Sequence, residues 1–242
     1  MPSTPLPNTP SASTPLPNTP SHNTRLTIAI DGPSGAGKGT IGKRIAAELG
    51  YRFVDTGAMY RALALYAREQ GVDWTNEDSL GTLAVELPLR YAPKGDPRLS
   101  LGEVDVTQAI RSEEIGEGAS IVSSHPKVRA GLLELQRRFA AEGGVVLDGR
   151  DIGTVVCPDA DVKFFVVADP RERARRRVLQ LRGQGVEADV NQVAADLAAR
   201  DKRDRERPVA PLKRAEDAIL VDTSDVSIDA AVELCLGHIR PA

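Results

Sequence analysis

The chain has 242 residues, a formal net charge of −3 and 27% charged side chains. This length is enough for one sizeable α/β domain with an insertion, and the slightly acidic balance argues against a general nucleic-acid binder, which is usually basic. Two cysteines, Cys157 and Cys235, make no disulfide framework, so both are expected as small core residues in a reducing cytoplasm. The three histidines show no metal-ligand spacing, and no apolar run is long enough to span a bilayer.

Residues 1–24 differ in kind from the rest of the chain. The string STPLPNTPS occupies 3–11 and recurs at 13–21, and the segment holds no Lys, Arg, Asp or Glu. Proline removes helical options and almost nothing apolar is available to bury, which predicts a disordered tail. The segment lacks the features of a secretory signal or a transit peptide, and a proline-rich docking peptide is the alternative.

The first strong motif is the stretch 28–40, IAIDGPSGAGKGT. Its apolar start predicts a strand that runs into a glycine-rich loop around Lys38, and the following residues predict a helix over 40–49. Such a loop turns backbone N–H groups towards a polyanion, and the helix adds its positive N-terminal dipole. The match to the P-loop pattern GxxxxGK[ST] is close, but Gly39 follows the lysine and Thr40 comes one place later. The plain alternative is a glycine-rich turn that happens to contain a lysine.

A second strand is predicted at 51–55, and it leads into the segment DTGAMYR at 55–61. Thr56 is predicted to cap the next helix, with Tyr60 and Arg61 one turn later on the same side. A hydroxyl and a guanidinium at the C-terminal end of a strand suit a phosphate monoester, although an ordinary capped surface helix explains the same residues.

The middle of the chain is predicted to be an insertion in the main fold. A short helix is predicted at 79–87, and alternating segments at 87–92 and 98–106 around PKGDP predict a β-ribbon. Residues 108–142 have the apolar spacing of helices, which Pro126 interrupts and a pair of glycines ends.

Further strands are predicted at 145–148, 162–167 and 218–221, with a closing helix at 228–239. The first of these strands ends in DGRD at 148–151, which places an acid where P-loop enzymes hold magnesium. The order of elements predicts an α/β fold, a doubly wound parallel sheet of about five strands with ligands at the carboxyl ends of the strands.

Arginine is concentrated between 171 and 207. The run RERARRR is followed by a glycine-bearing turn and by a second helix that ends RDKRDRER, which together make a candidate lid. Within the second arm, Arg200, Arg203, Asp204 and Arg207 share one helical face. A solvated helix with i,i+4 ion pairs is the alternative, and RNA binding is less favoured because acids alternate with the bases and no aromatics interleave.

Taken in order, GPSGAGKGT, DTGAMYR, DGRDIGTVV and RDKRDRER resemble the motifs of the bacterial cytidylate kinase family, from residue 26 to the C terminus. The β-ribbon is similar to the enlarged nucleotide-monophosphate domain of that family, and the lid is short like theirs. The family transfers a phosphoryl group from ATP to CMP or dCMP with Mg²⁺. The resemblance implies a cytoplasmic, monomeric enzyme of pyrimidine nucleotide metabolism that acts on these small molecules and has no nucleic-acid or membrane partner.

The resemblance also implies roles for individual residues. The ATP-binding positions are Gly32, Pro33, Ser34, Gly35, Ala36, Gly37, Lys38, Gly39 and Thr40. Thr56, Arg61, Arg150 and Arg207 would bind the phosphate of CMP, with Tyr60 beside them; Ser120, Arg129 and Asp151 would read cytosine, and Arg200 and Asp204 would hold the sugar. Lys38, Arg150, Arg177 and Arg207 are the expected catalytic residues, and Asp148 and Thr40 are the candidate magnesium ligands.

The expected organisation is a tail at 1–24 and one kinase domain at 25–242. Its parts are a core at 25–55, 144–170 and 208–242, a monophosphate-binding insertion at about 56–143, and a lid at about 171–207. The nearest alternative is another small-molecule P-loop kinase with a different monophosphate or a non-nucleotide substrate. A nucleotide-driven switch protein is a different class, but the chain has no NKxD motif for reading guanine.

Overall fold

A computed structural model describes residues 25–92, 98–183 and 185–239. The predicted tail at 1–24 and the predicted turn at 93–97 lie outside the described residues. The strands are β1 (Thr27–Asp31), β2 (Arg52–Asp55), β3 (Leu89–Tyr91), β4 (Leu99–Leu101), β5 (Val104–Asp105), β6 (Val145–Gly149), β7 (Val162–Val167) and β8 (Ile219–Asp222). The α-helices are α1 (Lys38–Leu49), α2 (Thr56–Glu69), α3 (Glu77–Glu86), α4 (Glu113–Val122), α5 (Pro126–Ala141), α6 (Pro170–Gly183), α7 (Val190–Glu206) and α8 (Ile228–Ile239).

The main sheet is parallel and has the order β2-β6-β1-β7-β8, which confirms the predicted doubly wound arrangement. The middle of its central strand is apolar because both faces of the sheet are covered, and Ile28, Ala29 and Ile30 are fully buried. In the register of β1 and β6, Asp31 lies opposite Gly149. The glycine-rich loop therefore leaves the sheet beside the DGRD segment, at the edge where ligands bind in such folds.

Two apolar cores lie on opposite sides of this sheet. Helices α1 and α8 bury one face around Ile41, Phe164 and Cys235, whereas α2 and α5 contribute to the core that contains Met59 and Cys157. Both cysteines are buried free thiols, as predicted. These two layers hold the central strands rigidly and fix the loops at their carboxyl ends.

The predicted two-stranded ribbon is a three-stranded antiparallel sheet in the order β3-β4-β5. The segment predicted as one strand over 98–106 reverses at Gly102, whose φ of 58° lies in the left-handed region. This reversal lets β4 pair with β5 as well as with β3. Leu99 and Leu101 turn inward and join the core of the insertion side.

The helical stretch predicted over 108–142 consists of a 3₁₀ turn, Ala109–Arg111, followed by α4 and α5. The Ser112 side chain caps α4 by accepting a hydrogen bond from the backbone N–H of Ile115 at 3.3 Å. Pro126 lies in the first turn of α5, where its missing N–H has no helical partner to lose. The proline thus begins a helix rather than only interrupting one.

The two arginine-rich arms are α6 and α7, which pack together around Ala174, Val178, Leu181 and Val193. The Asp189 carboxylate caps α7 by accepting two backbone N–H bonds from its first turn. Within the described part of the chain, no helix has the length and hydropathy that a bilayer crossing requires.

Candidate active site

The glycine-rich loop joins β1 to α1 at the carboxyl edge of the sheet. Its first glycine, Gly32, has a φ of 144°, and a Cβ there would lie 2.0 Å from the carbonyl oxygen of Val166 in the neighbouring strand. Gly37, with a φ of 95°, turns the chain into α1, which begins at Lys38 rather than at the predicted Thr40. Only glycine combines this backbone conformation with such a close approach.

Lys38 and Asp148 face each other where the loop meets the end of β6. The Lys38 Nζ lies 3.9 Å from Asp148 Oδ1 and donates to the Pro33 carbonyl oxygen at 2.9 Å. Burial, with a further contribution from Arg150, lowers the pKa of Lys38 to about 8, and burial raises the pKa of Asp148 to about 6. Between these two pH values the carboxylate and the ammonium are both charged and form an ion pair.

The glycine that follows Lys38 has a steric explanation. A Cβ at Gly39 would lie 3.2 Å from Asp148 Oδ2, so a larger residue would crowd the carboxylate. The first hydroxyl of α1 is consequently that of Thr40, which is exposed in the cleft.

A single cleft of about 1240 Å³ opens in front of the loop and reaches both arginine-rich arms and α4. Twelve of the predicted site residues line it: Ser34, Gly35, Gly37, Lys38, Gly39, Thr40, Arg61, Ser120, Asp148, Arg150, Arg177 and Arg200. The remaining predicted residues lie behind this surface: Gly32, Pro33, Ala36, Thr56, Tyr60, Arg129, Asp151, Asp204 and Arg207. The structure therefore separates the predicted set into a surface layer and a buried layer.

Asp151 is the centre of the buried layer. One carboxylate oxygen accepts from Arg129 Nη2 at 2.5 Å and the other accepts from Arg207 Nη2 at 3.1 Å. The ring of Tyr60 lies 5.5 Å from the Arg129 guanidinium carbon, and the Gln136 amide donates to its hydroxyl at 3.4 Å. Tyr60 thus supports Arg129 from behind and does not share the cleft with Arg61.

Asp204, a residue expected to hold the sugar, forms a second charged pair with Arg150, a residue expected to bind the phosphate. Arg150 Nε donates to Asp204 Oδ2 at 2.8 Å, and although burial opposes it, Arg150 and Arg200 keep the pKa of Asp204 below its usual value. The Nε of Arg200 is buried and has no hydrogen-bond partner within the described chain. Burial, with a further contribution from Arg150, lowers the pKa of Arg200 to about 9. This N–H lies at the cleft wall and is a donor that an acceptor group of a ligand could satisfy.

The predicted cap at Thr56 is wrong, because α2 already includes that residue. Asp55 is the cap, and its side chain accepts from the Ala58 N–H at 3.0 Å. The Thr56 hydroxyl instead donates to the Asp148 carbonyl oxygen at 2.8 Å and links β6 to α2. Arg61, one turn further, donates to the Ile110 carbonyl oxygen at 3.2 Å from the cleft wall.

Two predicted residues contact partners across the cleft. Arg177 of α6 forms an ion pair with Glu113 at the start of α4 and donates to the Gln180 side chain at 2.8 Å. The Ser120 hydroxyl accepts from Arg203 Nε at 3.1 Å, which joins α4 to α7. In this conformation the arginine-rich arms are attached to the insertion through these polar contacts.

Sequence reasoning missed the buried residues that support the loops. The Asp31 carboxylate accepts the backbone N–H groups of Ile152 at 2.8 Å and Gly153 at 2.7 Å, within a π-helical turn over Ile152–Val156. Burial raises the pKa of Asp31 to about 6. Arg173 and Thr223 contact the glycine-rich loop from α6 and from the residue after β8. Of these residues, only Asp31 left a signal in the sequence, because it is an acid directly before the glycine-rich loop. Nothing in the sequence pattern indicated that Arg173 or Thr223 would contact the loop.

Phosphoryl transfer between two anions requires that they be positioned and that their charge be neutralised. This site can do both, because a lysine-bearing glycine loop follows a parallel strand and arginines lie on the facing wall of the cleft. The chain therefore has the fold and site of a P-loop kinase. A family model described as cytidylate kinase matches residues 28–241, and the chain belongs to that family.

Curated relatives agree with this assignment along most of the chain. A cytidylate kinase of Pseudomonas paraeruginosa strain PA7 is 48% identical over 214 residues, 87% of this chain and 93% of that protein. One of Pseudomonas syringae pv. tomato is 50% identical, covering 88% and 94%, and one of Bradyrhizobium diazoefficiens is 49% identical, covering 89% and 96%. Among solved structures, an uncharacterized protein from Eubacterium ventriosum has a TM-score of 0.52 at 12% identity, over 89% of this chain and 98% of that chain, which shows the shared fold.

Proposed function

We propose that the protein transfers the γ-phosphoryl group of ATP to CMP or dCMP and forms CDP or dCDP. The observation that carries the proposal is the cleft itself, because one continuous space joins the glycine-rich loop at Lys38 to the wall of Ser120, Arg150 and Arg200. Two anionic substrates fit such a space end to end, which in-line transfer requires.

The loop over 32–40 binds the ATP phosphates through its backbone N–H groups, and Lys38 stabilises the transferring group. A magnesium ion fits beside it: the Asp148 carboxylate faces the cleft, and Mg²⁺ commonly takes one or two carboxylates and fills its shell with phosphates and water. Within the described residues, no group of three side chains forms a metal site by itself. Asp148 and Thr40 would hold the ion, which neutralises charge on the phosphate oxygens when bound.

The facing wall binds the monophosphate. Arg61 and Arg150 supply guanidinium groups at the cleft, which recognise phosphate oxygens in pairs. Arg207 and the Thr56 hydroxyl lie behind this surface, and they join the phosphate by exchanging Asp151 and the Asp148 carbonyl oxygen for phosphate oxygens. Arg177 exchanges its partner Glu113 for a phosphate oxygen as the arms close, and Tyr60 acts indirectly by supporting Arg129.

The base is held by the charged group around Asp151, and the sugar by the charged group around Asp204. Cytosine has an exocyclic amine beside its N3 and O2 acceptors, and the group of Ser120, Arg129 and Asp151 offers complementary polar atoms. Uracil would place its O4 against the Asp151 carboxylate and leave a buried polar group unpaired. The sugar hydroxyls would bind Asp204 and Arg200, whose Nε has no described partner.

The reaction needs no general base from the protein, because the phosphate of CMP is already an anionic nucleophile. The protein aligns the two phosphates, neutralises their charge and excludes water when the lid over about 171–207 closes on the core and the insertion at about 56–143. The proposal includes a monomer that acts in the cytoplasm with no nucleic-acid partner, which sedimentation and salt-dependent RNA binding can test.

The deciding experiment measures ADP formation from ATP with CMP, dCMP, UMP, AMP and GMP in turn. CMP and dCMP should have the highest kcat/KM, with UMP roughly tenfold to over a hundredfold lower for each unmet charge-assisted bond. In Arg129→Met, the ratio of kcat/KM for CMP to kcat/KM for UMP should decrease, while the affinity for ATP stays nearly unchanged. A native enzyme that prefers UMP or AMP would show that this is a different P-loop kinase.

A further inference from the structure

Two carbonyl groups of the glycine-rich loop are held from outside by buried side chains that have no role in the proposed function. Arg173 of α6 donates through Nη1 to the Ser34 carbonyl oxygen at 3.0 Å. The hydroxyl of Thr223 lies 2.9 Å from the Ala36 carbonyl oxygen and 3.1 Å from that of Val167, and its one O–H is shared between them. Both side chains are almost completely buried, so these contacts belong to the packed interior and not to the solvated surface.

The direction of a carbonyl group fixes the direction of the N–H group that follows it. In a planar trans peptide the C=O and the next N–H point in opposite directions, and the described residues contain no cis peptide. A Ser34 carbonyl aimed at Arg173 therefore turns the Gly35 N–H away from Arg173, and Ser34 and Gly35 both line the cleft. By the same argument, Thr223 turns the Gly37 N–H away from itself.

Arg173 has little freedom to release its carbonyl. Its Nη1 also pairs with Asp201 of α7 at 2.7 Å, and its Nε donates to the Ala168 carbonyl oxygen at 3.3 Å. The loop lies directly against it, since a Cβ on Gly35 would be 3.3 Å from the Cβ of Arg173. The guanidinium is thus a donor at a fixed position, and Asp201 connects it to the second arginine-rich arm.

We propose that Arg173 is a positioning residue for the phosphate loop. It holds the peptide plane between Ser34 and Gly35 so that the Gly35 N–H is aimed at the phosphates of the nucleotide donor before that donor binds. Donors held in place in advance need no reorganisation when the anion arrives or when charge develops on it. The inference rests on the proposed use of ATP and adds a buried residue of α6 to the site.

The test uses Arg173→Met combined with Asp201→Leu, which replaces both members of a buried ion pair and leaves no lone buried charge, so the fold should be retained. The KM for ATP should rise about tenfold, the loss expected for one charge-assisted hydrogen bond. The inhibition constant of inorganic tripolyphosphate against ATP should rise by the same factor, because the Gly35 N–H that loses its fixed direction is the group aimed at phosphate. The KM for CMP should change by less than about twofold. Arg171→Met, an exposed change on the same helix, is the matched control.

A second variant pair tests the same mechanism from the other side of the loop. Thr223→Val keeps the shape of the side chain and removes its hydroxyl, so it should raise the same two constants, whereas Thr223→Ser should leave them close to native. A folded double variant with unchanged constants for ATP and tripolyphosphate would overturn the proposal. Equal rises in the KM of ATP and CMP would also overturn it, because they would indicate general loosening. If the native protein does not turn over CMP, the proposed function is refuted instead. Direct binding of tripolyphosphate to the native protein and the double variant would then still test whether Arg173 positions the phosphate loop.

Discussion

Removing the carboxylate of Asp151 should lower the free energy of unfolding as well as the selectivity for the substrate base. Its side chain is 7% exposed and lies between the guanidiniums of Arg129 and Arg207, which are 6% and 3% exposed. Removing one partner of a buried ion pair costs about 3–5 kcal/mol. Asp151→Ala removes the carboxylate from two guanidiniums and leaves only Arg207 another acidic partner, Asp204 at 3.8 Å, so we expect a loss of about 5 kcal/mol. At about 2–4 °C per kcal/mol for a chain of this size, the melting temperature should fall by roughly 10–20 °C.

Thermal unfolding followed by circular dichroism, with and without CMP, separates the two effects. CMP at a hundredfold excess over its Kd should stabilise the native protein by about 2.7 kcal/mol, whereas the variant should gain almost nothing because the carboxylate proposed to read the base is gone. Glu103→Ala, which breaks an exposed ion pair with Arg90, is the control and should melt like the native protein. If Asp151→Ala melts within about 3 °C of the native protein, the buried ion pairs of Asp151 do not contribute the stability that we expect from them.

The remaining predictions concern Lys38, the second arginine-rich arm and residues 1–24. Lys38→Ala should lose about 10²-fold or more in turnover while it stays folded, and near-normal turnover would remove the lysine from the mechanism. Burial raises the pKa of Asp148 to about 6 and lowers that of Lys38 to about 8, so kcat/KM for ATP should fall below pH 6 and above pH 8. In the pH profile of kcat, the fall on the alkaline side should move to higher pH, since bound phosphates stabilise the ammonium form of Lys38. Arg207→Ala should weaken CMP binding far more than Arg205→Ala, an exposed change, and equal effects would favour a merely solvated helix. A chain that starts at Thr24 should match the full chain in activity and melting temperature, and a marked loss in either would mean that the tail packs on the body.

The main sheet and the phosphate loop were predictable because their signals are local. A largely apolar strand such as Val162–Val167, in which Lys163 is the one charged residue, and a glycine loop between a strand and a helix can each be recognised within a few residues. The single strand predicted over 98–106 was wrong because only a turn at Gly102 lets three short strands pair. The Thr56 cap was wrong because an acid one residue earlier has the capping geometry, a choice that sequence preferences alone do not decide.

The candidate site was predictable as a set of residues but not as two layers. The motifs placed Asp151 and Arg150 side by side, yet only the packed structure shows that the first is enclosed by two cations while the second faces the cleft. The π-helical turn after them depends on Asp31, which is 121 residues earlier in the chain. Interactions at such separations leave no periodicity or spacing in the sequence. The roles assigned to the individual site residues stay predictions.

The contact between Thr223 and Ala36 spans 187 positions of the chain and therefore constrains the order in which the molecule can be completed. During synthesis, the residues of the phosphate loop leave the ribosome long before the strand that ends next to Thr223 exists. Closing a loop of that length has a large entropic cost that only the finished sheet offsets, and folds rich in such contacts form slowly. A nascent chain that ends before β8 consequently has a glycine loop without its last support, and full nucleotide binding should appear only when the C-terminal strand and helix are in place.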